Sequence, residues 1–129
     1  MNEIILSTIP FLMDGLLMTF KISLLTIFFG SLIGVVVGML RSLDYAIITY
    51  PLGAYIHALR GTPFLIHLYL VYFMLPMTGI SWLQLEAFPA AVIALSMYTS
   101  TYVAEIVRSA IQAVPRGQSE AARSTGMTA

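Results

Sequence analysis

Cysteine is absent from the 129-residue sequence, which removes disulfides, thiolate metal sites and cysteine nucleophiles together. Charge is scarce too. Asp, Glu, Lys and Arg make up 9% of the residues, against about 25% in an ordinary soluble domain. Six basic residues balance six acidic ones, so no cationic excess exists to hold a phosphate backbone by counterion release, and a nucleic-acid partner is not expected. A Walker-type glycine loop, an HExxH and a Gly-x-Ser-x-Gly elbow are also missing. The common short-motif routes to an enzyme are therefore closed, and the chain is expected to carry no catalytic residue, metal or cofactor of its own. What is present is 59% hydrophobic residues, a composition suited to lipid, in a length that allows one domain at most.

The few charges locate the expected membrane spans. Between Lys21 and Arg41 the run Ile22 to Leu40 carries no charge and as a helix would be about 29 Å long, close to the hydrocarbon thickness. A second charge-free stretch, Gly61 to Leu85, is interrupted by Pro63, Pro76 and Gly79, which leaves Thr62 to Thr78 as its helical part. A third begins at Ala87, with Pro89 suited to a first turn and Glu105 marking its far end. Tyr45 to Leu59 is apolar but shorter, contains Pro51, Gly53 and His57, and is bracketed by Asp44 and Arg60; it reads as a helix lying at the interface. The fold class expected is thus an all-α membrane protein with three transmembrane helices. Its segments are an extracytoplasmic 1–21, spans at 22–40, 62–78 and 87–107, a cytoplasmic interfacial 41–61, an extracytoplasmic loop 79–86 and a cytoplasmic 108–129.

Glu3 and Asp14 before the first apolar run argue against a secretory signal peptide, which begins basic. Arg41 and Arg60 in the first connection, and Arg108, Arg116 and Arg123 after the third span, put those segments inside and the N-terminus outside. Lys21 dissents, as a single residue able to snorkel to the outer headgroups. In the first span Gly30, Gly34 and Gly38 repeat every fourth residue beside Ser31. That face has no bulk to hold a neighbour away, so a second helix should pack there closely.

Among residues that could carry chemistry, His57 and His67 would lie about 15 Å apart along one helix and could not ligate one haem iron. His67 reads better as a polar contact inside the bundle. Glu105, with Arg108 one turn later, reads as an interfacial ion pair or as a functional acid at membrane depth. The last stretch, Pro115 to Ala129, is polar. Pro115 can start a helix, Arg116 with Glu120 and Glu120 with Arg123 stand at ion-pair spacing, and Gly126 can supply a left-handed cap. A helix this short is not stable alone in water and needs something to dock against; Ala121 and Ala122 give it a face with little bulk.

Glu120-Ala121-Ala122 followed by Gly126 resembles the EAA loop of ATP-binding-cassette importer permeases. Arg60-Gly61-Thr62-Pro63-Phe64-Leu65-Ile66 through Pro76, and Tyr102-Val103-Ala104-Glu105-Ile106-Val107-Arg108 through Gln118, narrow the resemblance to the branch that imports polar amino acids such as histidine, glutamine, glutamate and arginine. The resemblance implies a type I importer permease fold of five membrane helices, in a bacterial plasma membrane. This sequence stops three residues after Gly126, before the Ile-x-Leu-Pro end of the loop and the last two helices, which implies a partial permease.

The partners implied are a cytoplasmic ATPase subunit that binds ATP and Mg, a second permease subunit, an extracytoplasmic amino-acid-binding protein and the polar amino acid itself. Docking to the ATPase is then assigned to Glu120, Ala121, Ala122 and Gly126, flanked by Arg116 and Arg123. The substrate path is assigned to Thr62, His67, Tyr98 and Glu105. The competing reading is a non-transporting membrane anchor or an inactive permease fragment.

Overall fold

The computed structural model describes residues 2–43 and 45–128, with side chains from residue 7 onward. Met1, Asp44 and Ala129, and the side chain of Glu3, lie outside the described residues. The first helix, α1, runs from Asn2 to Arg41 over 40 residues. The expected division at Lys21, between an outer segment and a span, is not a structural break. The helix runs through Lys21 without interruption, and Pro10 inside it removes only one hydrogen bond of the ladder. Its membrane-compatible part, Ser7–Arg41, has 35 residues, with a mean hydropathy of 2.3 over its most apolar stretch, and makes about 52 Å of helix against roughly 30 Å of hydrocarbon.

After the α1 turn, α2 covers Ala46–Arg60. The expected second span is broken into pieces. Pro63 stands in an extended conformation, φ −58° and ψ 138°, and the axis of Ala46–Arg60 meets that of Phe64–Thr78 at a bend of 103°. Beyond the bend, α3 is Phe64–Tyr69, continuing as a π-helical turn over Leu70–Met74 and a 3₁₀ turn over Pro76–Thr78. Pro76 has no N–H to donate to the turn before it, so the ladder widens ahead of the proline and tightens after it. Gly79, at φ 74°, ends the segment in the left-handed region that glycine enters without strain. A second 3₁₀ turn at Ser81–Leu83 leads into α4, Ala87–Gln112, and α5 covers Arg116–Ser124. Among the described residues two helices, α1 and α4, are long and apolar enough to cross a membrane, or three spans if the bent pair counts as one.

The bundle is built on the contact of α1 with α4. A Cβ added at Gly30 would lie 2.9 Å from Thr99 Cβ, at Gly34 2.5 Å from Val103 Cβ, and at Gly38 2.6 Å from the Ala104 carbonyl oxygen. Both helices therefore advance in the same direction, and their backbones approach as closely as missing side chains permit. Thr26 continues the small-residue row on α1, and Ser96, Ser100 and Ala104 form its counterpart on α4; all four are buried. Toward the Arg41 end, Val37, Ile56 and Ala104 form a core cluster, with Leu52 and Tyr55 packed on it.

The α2 helix, expected at the interface, is docked to this bundle through Gly53, Ile56 and Leu59, its buried face, while Ile47 and Tyr50 on its other side are exposed. The Tyr55 hydroxyl bonds to the Met97 carbonyl at 3.0 Å and to Ser100 Oγ at 2.8 Å, tying α2 to the middle of α4.

Candidate functional site

Three of the four residues assigned to the substrate path converge where the α2–α3 bend faces α4. Thr62 Oγ1 donates to the Ala58 carbonyl at 2.9 Å and lies 2.8 Å from His67 Nε2. The His67 ring sits 6.0 Å from that of Tyr98, and the Tyr98 and Tyr102 hydroxyls are 3.0 Å apart. Phe64 packs at 5.3 Å on Tyr98, and the Arg60 guanidinium lies 4.7 Å above the Tyr102 ring, within range of a cation–π attraction. Arg60, Phe64 and Tyr102 were not assigned to the path from sequence. The signal was present in the i,i+4 spacing of Tyr98 and Tyr102, but the approach of Arg60 depends on the bend at Pro63. His67 Nδ1 is buried without a hydrogen-bond partner among the described residues. Hydroxyls, an imidazole and a guanidinium set among aromatic faces can bind a small solute that is charged at one end and apolar or polar at the other.

Glu105 is placed differently. No hydrogen bond or ion pair joins it to that cluster among the described residues; its Oε1 pairs with Arg41 Nη1 and its Oε2 lies 3.5 Å from Arg108 Nη2. Arg108 also donates from Nη1 to Gln112 Oε1 at 3.1 Å. The local pair with Arg108 foreseen from spacing is thus the longer contact, and the nearer partner comes from the end of α1. With side-chain exposures of 15% for Arg41 and 24% for Glu105, the carboxylate is shielded but not sealed from solvent.

The third assigned site is α5. Pro115, at φ −61° and ψ 138°, starts the helix. Gly126, at φ 85°, ends it: Gly126 N–H donates to the Arg123 carbonyl at 3.0 Å and Met127 N–H to the Ala122 carbonyl at 3.1 Å. These two bonds make a Schellman cap. Arg116, Glu120, Ala121 and Arg123 are exposed and Ala122 is half-buried. The ion pairs expected among Arg116, Glu120 and Arg123 are not formed among the described residues; exposed pairs of this kind gain only tenths of a kcal/mol, too little to fix long side chains. Among the described residues α5 packs against no other helix.

Comparison with known proteins places this arrangement. The family described as "Binding-protein-dependent transport system inner membrane component" matches residues 27–129. The probable amino-acid ABC transporter permease protein YckA of Bacillus subtilis is 36% identical over 127 residues, covering 98% of this chain and 55% of the relative. The arginine transport system permease protein ArtQ of Bacillus subtilis is 36% identical over 119 residues, covering 92% and 53%. The glutamate/aspartate import permease protein GltK of Escherichia coli O157:H7 is 33% identical, covering 96% and 58%. A solved structure described as an amino acid ABC transporter with histidines superposes with a TM-score of 0.84 at 40% identity, covering 96% of this chain and 56% of that one. The chain spans about half the length of the curated relatives it matches. It is an integral membrane protein by its family and its apolar helices, and it belongs to the binding-protein-dependent transport system inner membrane components.

Proposed function

We propose that this chain is permease structure from an ATP-binding-cassette importer of polar amino acids, in a bacterial inner membrane with the N-terminus outside. A partner ATPase that binds ATP and Mg would grip α5 through Glu120, Ala121, Ala122 and Gly126, flanked by Arg116 and Arg123. The observation that carries this reading is α5 itself, a capped helix with no neighbouring helix among the described residues, joined to the membrane-spanning α4 by the short link Ala113–Pro115. A helix of this length needs a partner to stay folded, and a short link turns movement of the partner into movement of α4. Because α4 is locked to α1 along the Gly30, Gly34 and Gly38 face, the two would move as one body when the ATPase closes.

The polar and aromatic cluster at the bend supplies the path: Thr62, His67 and Tyr98, joined by Arg60 and Tyr102. Glu105, with both carboxylate oxygens engaged by arginines, serves in this reading as an anchor at the end of the path and not as a direct solute ligand. An extracytoplasmic binding protein would deliver the amino acid, and a second permease subunit would complete the enclosure.

The test is ATP-dependent uptake of labelled histidine, glutamine, glutamate and arginine into proteoliposomes. These would contain the chain with its full transporter complement, beside co-purification of the ATPase. Uptake that needs ATP and the binding protein is the expected result. A chain that retains no ATPase and instead shows a Soret band would be an anchor subunit.

A further inference from the structure

A cleft of about 490 Å³ opens where the Arg41 end of α1, the middle of α2 and the Arg108 turn of α4 meet; Arg41, Thr49, Tyr50, Gly53, His57 and Arg108 line it. Its chemistry is unbalanced. Two guanidinium groups carry about ten N–H donors, and a single carboxylate accepts about four hydrogen bonds. Glu105 is the one carboxylate paired with them among the described residues, and Gln112 Oε1 takes one further bond from Arg108. Among the described residues, one positive charge and several donors are left over.

These donors are directed, not scattered. Arg41 gives Nη1 to Glu105, and its Nη2 and Nε face α2, 3.5 and 3.7 Å from where a Cβ at Gly53 would stand. The guanidinium thus lies against the α2 backbone at ordinary contact distance. Arg108 Nε is buried and has no hydrogen-bond partner among the described residues, a condition that buried donors seldom keep without a ligand or water. His57 on α2 adds a titratable nitrogen to the same wall.

The surroundings are those of a membrane surface. Arg41 closes the long apolar α1, and Tyr45 at the start of α2 and Tyr50 on the cleft wall stand 65% and 79% exposed, where tyrosine fits the headgroup level.

We propose that this cleft binds the phosphate of an anionic phospholipid, held between Arg41 and Arg108 with Tyr50 and His57 at its rim. The phosphodiester supplies the acceptors that Glu105 cannot, and the lipid's acyl chains lie along the exposed apolar side of α1. This inference rests on the chain's being a membrane protein and is independent of which solute it carries, so loss of transport with lipid binding intact would separate the two.

The experiment is competition for bound lipid. The chain is placed in bilayers of phosphatidylcholine with a minor share of phosphatidylglycerol, and the lipid retained on extraction is identified by native mass spectrometry. Retention enriched in phosphatidylglycerol is expected. Arg108→Gln should lower the enrichment about fivefold, the effect of one basic residue at an anionic membrane surface. Ala54→Trp, which crowds the cleft without altering a charge, should lower it as well. Unfolding of all three proteins in pure phosphatidylcholine, followed by circular dichroism, separates lost binding from lost folding. Equal enrichment in wild type and both folded variants overturns the site. Displacement of the lipid by inorganic phosphate, with binding of that ion in pure phosphatidylcholine, identifies a soluble-anion site and overturns the lipid assignment.

Discussion

Glu105 on α4 pairs with Arg41 at the end of α1, across 64 positions of sequence. The pair closes the same end of the bundle that the Val37, Ile56 and Ala104 cluster fills, so polar and apolar contacts there reinforce one another. Arg108 shares the carboxylate from the next turn of α4, and removal of Glu105 would leave two cations facing each other.

Glu105→Gln should therefore destabilise the fold. An exposed pair contributes up to about 1 kcal/mol, and breaking a fully buried one costs about 3–5 kcal/mol; at 15% and 24% side-chain exposure a loss of about 2 kcal/mol is expected. Thermal unfolding in detergent measures it. A cycle of Glu105→Gln, Arg41→Met and the double variant should show non-additive losses, and simple additivity would mean that the two groups do not interact energetically.

Gly34→Ala is expected to cost about 1–3 kcal/mol, the range for forcing extra atoms into a packed contact. Its new Cβ would lie 2.5 Å from Val103 Cβ and 2.8 Å from the Ser100 carbonyl oxygen, and a backbone atom cannot step aside. Gly15→Ala is the control, since nothing lies within 4 Å of the added Cβ; it should hold or raise stability through better helix propensity. Matching melting behaviour of the two variants would show that α1 and α4 do not pack at this distance.

Which of these features could be read in the sequence follows from how local each one is. The row Gly30, Gly34 and Gly38 announces a close helix partner through its spacing alone, and the end of α5 at Gly126 follows from the conformational freedom of glycine. The partner of Glu105 was hidden because an i,i+3 neighbour, Arg108, already satisfied the local pattern, while Arg41 arrives only when α1 and α4 come together. The apolar run 62–78 predicts the second span as one helix. Its division into α3, a π turn and a 3₁₀ turn depends on how the ladder adjusts to Pro76, which hydropathy does not report. Arg60 joined Tyr102 unseen for a similar reason: the contact exists only because the chain bends by 103° after α2.

Tyr55→Phe should cost about 1 kcal/mol and loosen α2. The hydroxyl serves both the Met97 carbonyl and Ser100 Oγ, and its loss leaves a carbonyl on the α4 ladder with one partner fewer, a modest net change. Amide hydrogen exchange over 46–60 should accelerate while exchange over the α1–α4 contact stays as it was. Uniform acceleration across the bundle would place Tyr55 in the global core and not at a local attachment.

For transport, His67→Ala and Tyr98→Phe in the assembled importer should each raise the half-saturation concentration about tenfold, equivalent to about 1.4 kcal/mol of lost solute contact. Neither change touches α5, so ATPase retention should be unaffected. A fall in maximal rate with unchanged half-saturation would assign the cluster to the movement of the bundle and remove it from the solute path.

Gly126→Leu tests the coupling helix most directly. Among the described residues nothing lies within 4 Å of an added Cβ there, yet its φ of 85° is one that L side chains avoid. A substitution there strains the backbone by about 1–2 kcal/mol without any clash. The cap bonds from Gly126 to Arg123 and from Met127 to Ala122 would be weakened, and the last turn, which carries Ala121 and Ala122, would fray. Membrane insertion should be normal, because α1 and α4 are remote from the change, and the co-expressed ATPase should no longer co-purify. Gly126→Asn, which enters the left-handed region more readily, should retain much of the association. If Gly126→Leu holds the ATPase as wild type does, the capped end of α5 is not the docking element and the partner must grip the chain elsewhere.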